Sequence, residues 1–258
     1  MSGGAASPLR RDRPIGGDEC GGTVIITRDE AFRIVCSILT DRSDGSTSVG
    51  TGSFVTTNGR DAWLLTASHV ASSTNRQTII AVGNENDDCI TVPLPLLNAV
   101  CEWITHPIAD IALMEININK ANMGLLKGRC LPFDHFNHEK RGVSRDAELT
   151  SVGFPNGLGI DGKFSPLTFR SYAASSLVTL NRADTKTPSD FFCLENPSCG
   201  GYSGCPVLDL GYMVVGNMTS TGEKTICYGI MHGTISDDTG GKLALVTPSY
   251  YLDDLLQR

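Results

Sequence analysis

The sequence lacks any apolar run near the roughly 18 residues of a membrane-spanning helix, and it lacks an excess of positive charge. It has 21 Lys and Arg against 28 Asp and Glu, a formal net charge of −7, and its pI is near 5.2. A surface built to neutralise phosphates needs the opposite balance, so neither nucleic acid nor a membrane is an expected partner. The one concentrated basic cluster, Arg10, Arg11 and Arg13, has no apolar segment after it and does not read as the start of a secretory signal. CxxC and HExxH patterns are also missing. The nine cysteines, at 20, 36, 89, 101, 130, 193, 199, 205 and 227, are an odd number that cannot all pair within one chain. Oxidising compartments select for paired cysteines, so reduced thiols and a cytoplasmic location are expected. His135 and His138 stand three apart, but a closed zinc site needs four ligands. No metal or cofactor is expected.

What is present is ordinary globular composition, 40% hydrophobic and 19% charged, with 28 glycines and 12 prolines that point to many turns and short strands. Residues 1–21, rich in Gly, Pro, Ser and Arg, read as a disordered tail. From Thr23 the pattern becomes short apolar runs cut by turn residues. A first set comprises Val24–Ile26, Phe32–Leu39, Ser53–Thr56, Trp63–Thr66, Thr78–Val82 and Ile111–Ile118. A second comprises Glu148–Val152, Ser175–Leu180, Phe191–Leu194, Pro206–Leu208, Met213–Val215, Thr225–Met231 and Leu243–Val246. Two similar strand sets predict an all-β chain of two barrels, over 22–118 and 146–247, joined by a linker over 119–145. Thr247-Pro248, followed by the stripe Tyr251, Leu252, Leu255 and Leu256, predicts a short C-terminal helix over 248–258.

Three segments carry residue types suited to acyl transfer. Leu64-Leu65-Thr66-Ala67-Ser68-His69 is an apolar strand ending in small residues and a histidine. His106-Pro107-Ile108-Ala109-Asp110-Ile111-Ala112-Leu113 brings an aspartate into an apolar strand; His106 itself is expected at the surface. Gly200-Gly201-Tyr202-Ser203-Gly204-Cys205-Pro206 places a serine in a glycine-rich turn. A serine hydroxyl is a poor nucleophile until an imidazole takes its proton, and histidine is a neutral base near pH 7. An aspartate can fix the tautomer of that histidine and stabilise the imidazolium. Glycines beside the serine allow backbone conformations in which N–H groups converge on a developing oxyanion.

Thr66-Ala67-Ser68-His69, Asp110-Ile111-Ala112-Leu113 and Gly201-Tyr202-Ser203-Gly204-Cys205-Pro206, in the order His, Asp, Ser, resemble the signature blocks of trypsin-like serine proteases. Ser151-Val152-Gly153-Phe154-Pro155-Asn156-Gly157-Leu158-Gly159 is similar to the second-barrel opening of the HtrA-like and bacterial intracellular branches. The resemblance implies two six-stranded antiparallel β-barrels with the site between them. It implies His69, Asp110 and Ser203 as the catalytic triad, with the backbone N–H groups of Gly201 and Ser203 as oxyanion donors.

The departures from that family narrow the reading. Tyr202 stands where secreted members carry the aspartate that pairs with a new N-terminus, so zymogen activation of that kind is not expected. Val70 stands where they carry a disulfide cysteine. Pro197 stands where trypsin carries its pocket aspartate, with Glu195 nearby, so cleavage after Arg or Lys is not implied. The pocket by resemblance involves Pro197, Ser198, Cys199, His232, Gly233 and Thr234. His232 is open to three readings: a pocket residue akin to that of viral 3C-like proteases but one position later, a hydrogen-bonding partner near Asp110, or plain packing. Because strand side chains alternate, a one-residue shift reverses the face. The expected function is hydrolysis of intracellular protein or peptide substrates through an acyl-enzyme. The alternatives are a catalytically silent binding or scaffold protein on the same fold, and an enzyme activated by a partner.

Overall fold

The computed structural model describes residues 25–182, 184–216, 218–222, 224–236 and 238–256; the expected tail over 1–21 lies outside them. The first sheet is built from β1 (Val35–Asp41), β2 (Thr47–Thr56), β3 (Trp63–Thr66), β4 (Ile79–Gly83), β5 (Cys89–Pro93), β6 (Ile104–Thr105), β7 (Ala112–Glu115) and β8 (Leu131–Pro132). The second uses β9 (Leu149–Gly153), β10 (Leu167–Ser171), β11 (Val178–Asn181), β12 (Pro188–Leu194) and β13 (Pro206–Asp209). A separate hairpin of β14 (Tyr212–Val215) and β15 (Met218–Thr221) follows, and β16 (Ile226–Ser236) and β17 (Lys242–Pro248) complete the second sheet.

The first sheet runs β5-β4-β1-β2-β3-β7-β6, with β8 added in parallel along β2, and the second runs β10-β9-β13-β16-β17-β12-β11. All-β class, two antiparallel sheets and a short C-terminal helix are as expected. The strand numbers are not: among the described residues the sheets hold eight and seven strands, and neither ladder is closed between its end strands. The five-residue strands β5 and β10 lie outside the expected apolar runs, and two others are very short. β6 and β8 are two residues long, too short to give a hydrophobic signal, and β8 lies inside the stretch 119–145 read as linker. That stretch also folds a helix, Lys120–Leu126, capped by the Asn119 side chain on the N–H groups of Ala121 and Asn122.

The interior strands β3 and β9 are buried on both faces, so they read as continuous runs. The edge strand β11 alternates half-buried Val178 and Leu180 with exposed Thr179 and Asn181. One apolar core joins the two sheets: Ile38, Phe54, Leu64 and Leu113 of the first sheet pack in one cluster with Val152, Leu208 and Ile230 of the second, with Phe154, and with Tyr251, Leu252 and Leu255. The C-terminal α-helix is Leu252–Leu256, after a 3-10 turn over Ser249–Tyr251. Pro248 ends β17 instead of opening the helix. The Ser249 hydroxyl donates to the carbonyls of Asn137 and Cys227, which ties the chain to the sheet before it can turn helical.

Candidate active site

β3 delivers His69. The strand ends at Thr66, Ala67 stays extended, and a single helical turn over Ser68–Ala71 turns His69 toward the β6–β7 loop. The Ser68 hydroxyl pins this turn by donating to the carbonyl of Ile111, 2.8 Å away. Asp110, in that loop, has no exposed surface. Its Oδ1 accepts the main-chain N–H of His69 at 3.0 Å, and its Oδ2 lies 2.7 Å from His69 Nδ1. An ionised carboxylate only accepts hydrogen bonds, so His69 carries a proton on Nδ1, and in the neutral ring the lone pair is then on Nε2. The His69 side chain is 31% exposed, leaving the ring accessible from one side.

Asp110 has two further partners. His232 Nδ1 lies 2.5 Å from the same Oδ2, and Arg182 Nη2 donates to Oδ1 at 3.1 Å. Burial alone would raise the Asp110 carboxyl, but the hydrogen bonds from His232 and His69 outweigh it and hold the group well below the usual carboxylate range. Two imidazoles thus share one oxygen, their rings edge-on with centroids 5.7 Å apart.

His232 reaches Asp110 because the β16–β17 register slips between Met231 and Gly233. The extra residue at such a bulge is left unpaired and its side chain is re-aimed. Of the three readings of His232, the bond to Asp110 is the one its ring makes, and the ring packs beside Phe191, centroids 5.0 Å apart.

His69, Asp110 and His232 bring three ligand-type atoms close together, yet they do not fit a metal centre. The Nδ1 to Oδ2 separations are hydrogen-bond lengths with no room for an ion between them, and the Arg182 guanidinium already holds the carboxylate's other oxygen.

The serine turn is fixed from three directions. Gly201 and Gly204 have φ of 89° and 86°. A Cβ on Gly201 would lie 2.2 Å from the Phe154 carbonyl oxygen, and one on Gly204 would lie 2.2 Å from that of Thr51; only glycine fits either position. Cys205 N–H donates to Tyr202 O and Gly204 N–H to Met231 O. Among the described residues, the N–H groups of Gly201 and Ser203 have no protein acceptor. From the first sheet, Thr51 N–H donates to the Ser203 carbonyl at 2.9 Å and the Thr51 hydroxyl to the Gly201 carbonyl at 2.8 Å. Tyr202 is buried, with its hydroxyl on the Leu167 carbonyl at 2.7 Å and its ring stacked on Phe169. Ser203 Oγ donates to the main-chain carbonyl of His232 at 3.1 Å, placing the hydroxyl beside the residue that bonds Asp110.

A family model described as the trypsin-like peptidase domain matches residues 50–216. The chain belongs to this family. Among solved structures, this trypsin-like peptidase is similar to the active form of the Rv3671c protease from M. tuberculosis, at 15% identity and TM-score 0.59, over 98% of this chain and 93% of that one. It is also similar to a serine endoprotease from Yersinia pestis, at 14% identity and TM-score 0.53, over 90% of this chain and 65% of that one. A thermostable serine protease, AL20, from an extremophilic microorganism aligns at 12% identity and TM-score 0.52, over 89% of this chain and all of the other. At these identities the likeness is one of fold. No curated protein matches the chain by sequence.

The other residues singled out in the sequence of this peptidase have the following surroundings. Pro197 is exposed and Ser198 and Cys199 are half-buried; the Thr234 hydroxyl donates to the Ser198 carbonyl at 2.8 Å, so the two expected pocket walls are tied together. A Cβ on Gly233 would meet nothing within 4 Å. Cys205 is fully buried and its thiol is pushed well above its ordinary range by burial, which makes it an inert packing residue. All eight described cysteines are free.

His106 corrects the expectation of a surface residue. It is buried, its Nδ1 accepts the N–H groups of Ile108 and Ala109, and its Nε2 faces Asp254 at 3.0 Å; it braces the turn that leads into Asp110. His138 spends its ring nitrogens on Asp253 and the Phe133 carbonyl, and the His135 Nδ1 is buried without a partner; the two share no ligand set. Sequence reading missed Thr51 and Arg182. Neither gives a signal, since Thr51 is one of several threonines in a strand and Arg182 sits in a polar stretch that reads as a solvated hairpin end.

Proposed function

We propose that this peptidase is a serine endopeptidase that cleaves protein substrates through an acyl-enzyme on Ser203. His69 acts as general base, Asp110 as the group that orients it, and the N–H groups of Gly201 and Ser203 as oxyanion donors. The observation that carries this reading is the buried Asp110 carboxylate, which holds His69 by both its main-chain N–H and its Nδ1. The Nε2 lone pair is thereby left for a proton from serine. To donate to His69, the Ser203 hydroxyl has to leave the His232 carbonyl by rotation about χ1, between staggered wells. Attack on a peptide carbonyl then passes the proton to His69, and the negative charge on oxygen falls between two N–H groups that have no other protein partner among the described residues. One such donor is worth roughly 3 kcal/mol in the transition state.

Tyr202 supports a turn formed without proteolytic activation. Its anchoring on Leu167 and Phe169 takes the place of an ion pair with a cleaved N-terminus. The free thiols, Cys199 beside the turn among them, support substrates in a reducing, cytoplasmic setting. Labelling by a fluorophosphonate probe tests the proposal: the wild-type chain is labelled and Ser203→Ala is not. A folded wild type that stays unlabelled refutes it.

The bond from Ser203 Oγ to His232 O favours one second reading, a resting enzyme that needs a partner. In that case labelling rises several-fold when cell extract is added, whereas constitutive full labelling excludes it.

A further inference from the structure

We propose that Arg182 is a positioning residue for the Asp110–His69 pair: its guanidinium, delivered by the turn between β11 and β12, fixes the carboxylate through Oδ1 and sets how strongly that carboxylate holds a protonated His69. The inference rests on the reading of His69 as general base.

Arg182 is 4% exposed, and each of its five N–H donors meets an acceptor. Nη1 donates to the carbonyls of Ala109 and Ile108, at 2.8 and 3.3 Å. Nη2 donates to Asp110 Oδ1 at 3.1 Å and to Asp184 Oδ2 at 2.6 Å, and Nε donates to Asp184 Oδ1 at 2.9 Å. The fork is therefore fixed by Asp184 from its own turn and applied to the loop that carries Asp110. Its turn is closed by main-chain bonds from Arg182 N–H to Thr187 O and from Lys186 N–H to Arg182 O. Bidentate clamping of this kind is specific to guanidinium geometry.

The acceptor shell of Asp110 is then complete: His69 N–H and Arg182 on Oδ1, His69 and His232 on Oδ2. In the reaction His69 becomes a cation, and the carboxylate that stabilises it is already partly neutralised by Arg182, itself partly neutralised by Asp184. The charged and titratable groups facing Asp110 are His69 from the turn after β3, His232 from β16 and Arg182; Asp184 faces Arg182, and His106 faces Asp254. The sign follows from this set. Removing the Arg182 charge strengthens the hold on protonated His69, so base function fails at a higher pH as acid is added. Removing the Asp184 charge leaves Arg182 fully positive, and base function persists to a lower pH.

The chain has five histidines, and the ring Cε1–H resonance of His69 is assigned by its loss in His69→Gln. In a Ser203→Ala background its titration is expected to move up by about 0.5–1 pH unit in Arg182→Met and down by about 0.5 in Asp184→Asn, and to stay near the parent in Arg182→Lys. The acid limb of probe labelling, measured with Ser203 present, moves in the same directions. Coincident titrations in all variants overturn the proposal, as does an equal displacement in Arg182→Met and Arg182→Lys, because both leave Arg182 as a hairpin pin alone. Should Arg182→Met not fold, the downward shift in Asp184→Asn, a partly exposed position, decides the matter. The NMR titration needs no turnover, so a chain that never labels refutes the protease reading without touching this result.

Discussion

Asp110 is fully buried and carries more of the candidate site than any other side chain. Taking a carboxylate out of water costs several kcal/mol, and the cost is offset only when its lone pairs are met. Here four donors from three separated residues, His69 giving two of them, meet them. Because its folded value is depressed, the stability it contributes is fully present above the ordinary unfolded carboxylate range of about 4. That contribution is lost as the pH falls through the lower folded value. The expected outcome is a urea midpoint that is flat from pH 7 to 5 and falls steeply below about 4. In Asp110→Asn the baseline drops by about 3 kcal/mol, since buried Arg182 keeps Asp184 as its one carboxylate partner, and the acid fall is shallower. Equilibrium unfolding at several pH values checks this, and an unchanged acid slope in Asp110→Asn would show that other carboxylates govern acid lability.

At the scale of elements, two strands shape the site without supplying the side chain of His69, Asp110 or Ser203. β2 brings Thr51 under the serine turn: its hydroxyl donates to Gly201 O and accepts from Phe154 N–H, and its carbonyl accepts from the Thr66 hydroxyl. Thr51→Val keeps the shape and removes the hydroxyl, which strands a buried carbonyl and a buried N–H. The expected cost is about 1–3 kcal/mol of stability, together with a probe-labelling rate lower by tenfold or more as the turn loosens. Thr51→Ser restores most of both, and a Thr51→Val protein that labels at the wild-type rate would free the turn from β2. The second strand is β16, where the slip at His232 sends the ring to Asp110 and leaves the carbonyl to Ser203.

These two strands also show where sequence ceases to be legible. His69, Asp110 and Ser203 stand in segments whose small residues, apolar runs and glycines state local needs, and each such need can be read from neighbours in the chain. The destination of His232 depends on a bulge that neither its own strand nor any turn residue announces, and counting positions by alternation fails at a bulge. Thr51 and Arg182 are defined by residues 150 and 72 positions away, so nothing local distinguishes them. The short strands β6 and β8 were invisible for a related reason: two residues carry no period.

At the scale of the whole molecule, the question is whether the sheets behave as two domains or one. The core is continuous across them, with Phe154 packed on Phe164 at 5.4 Å between centroids, and Phe164 so close to Gly83 that a Cβ there would lie 2.8 Å from its ring. Main-chain bonds cross as well, from Cys89 N–H to Gly162 O and from Phe164 N–H to Asp87 O. The C-terminal segment follows the second sheet yet leans on the first, with Tyr251 against His106 and Asp254 on the same ring. A shared core and shared main-chain bonds make separate unfolding of either sheet expose apolar surface on the other, so a single cooperative transition is expected. The two tryptophans, Trp63 and Trp103, both lie in the first half and report it by fluorescence, while labelling of Ser203 reports the second. The two urea curves should coincide. Leu252→Ala, at a fully buried position of the joint core, should move both together by about 2–5 kcal/mol. Were the fluorescence curve to separate from the labelling curve, the proposed catalytic residues would be split between units of unequal stability. Loss of the serine's partners would then precede loss of the serine turn itself, because His69 and Asp110 belong to one sheet and Ser203, His232 and Arg182 to the other.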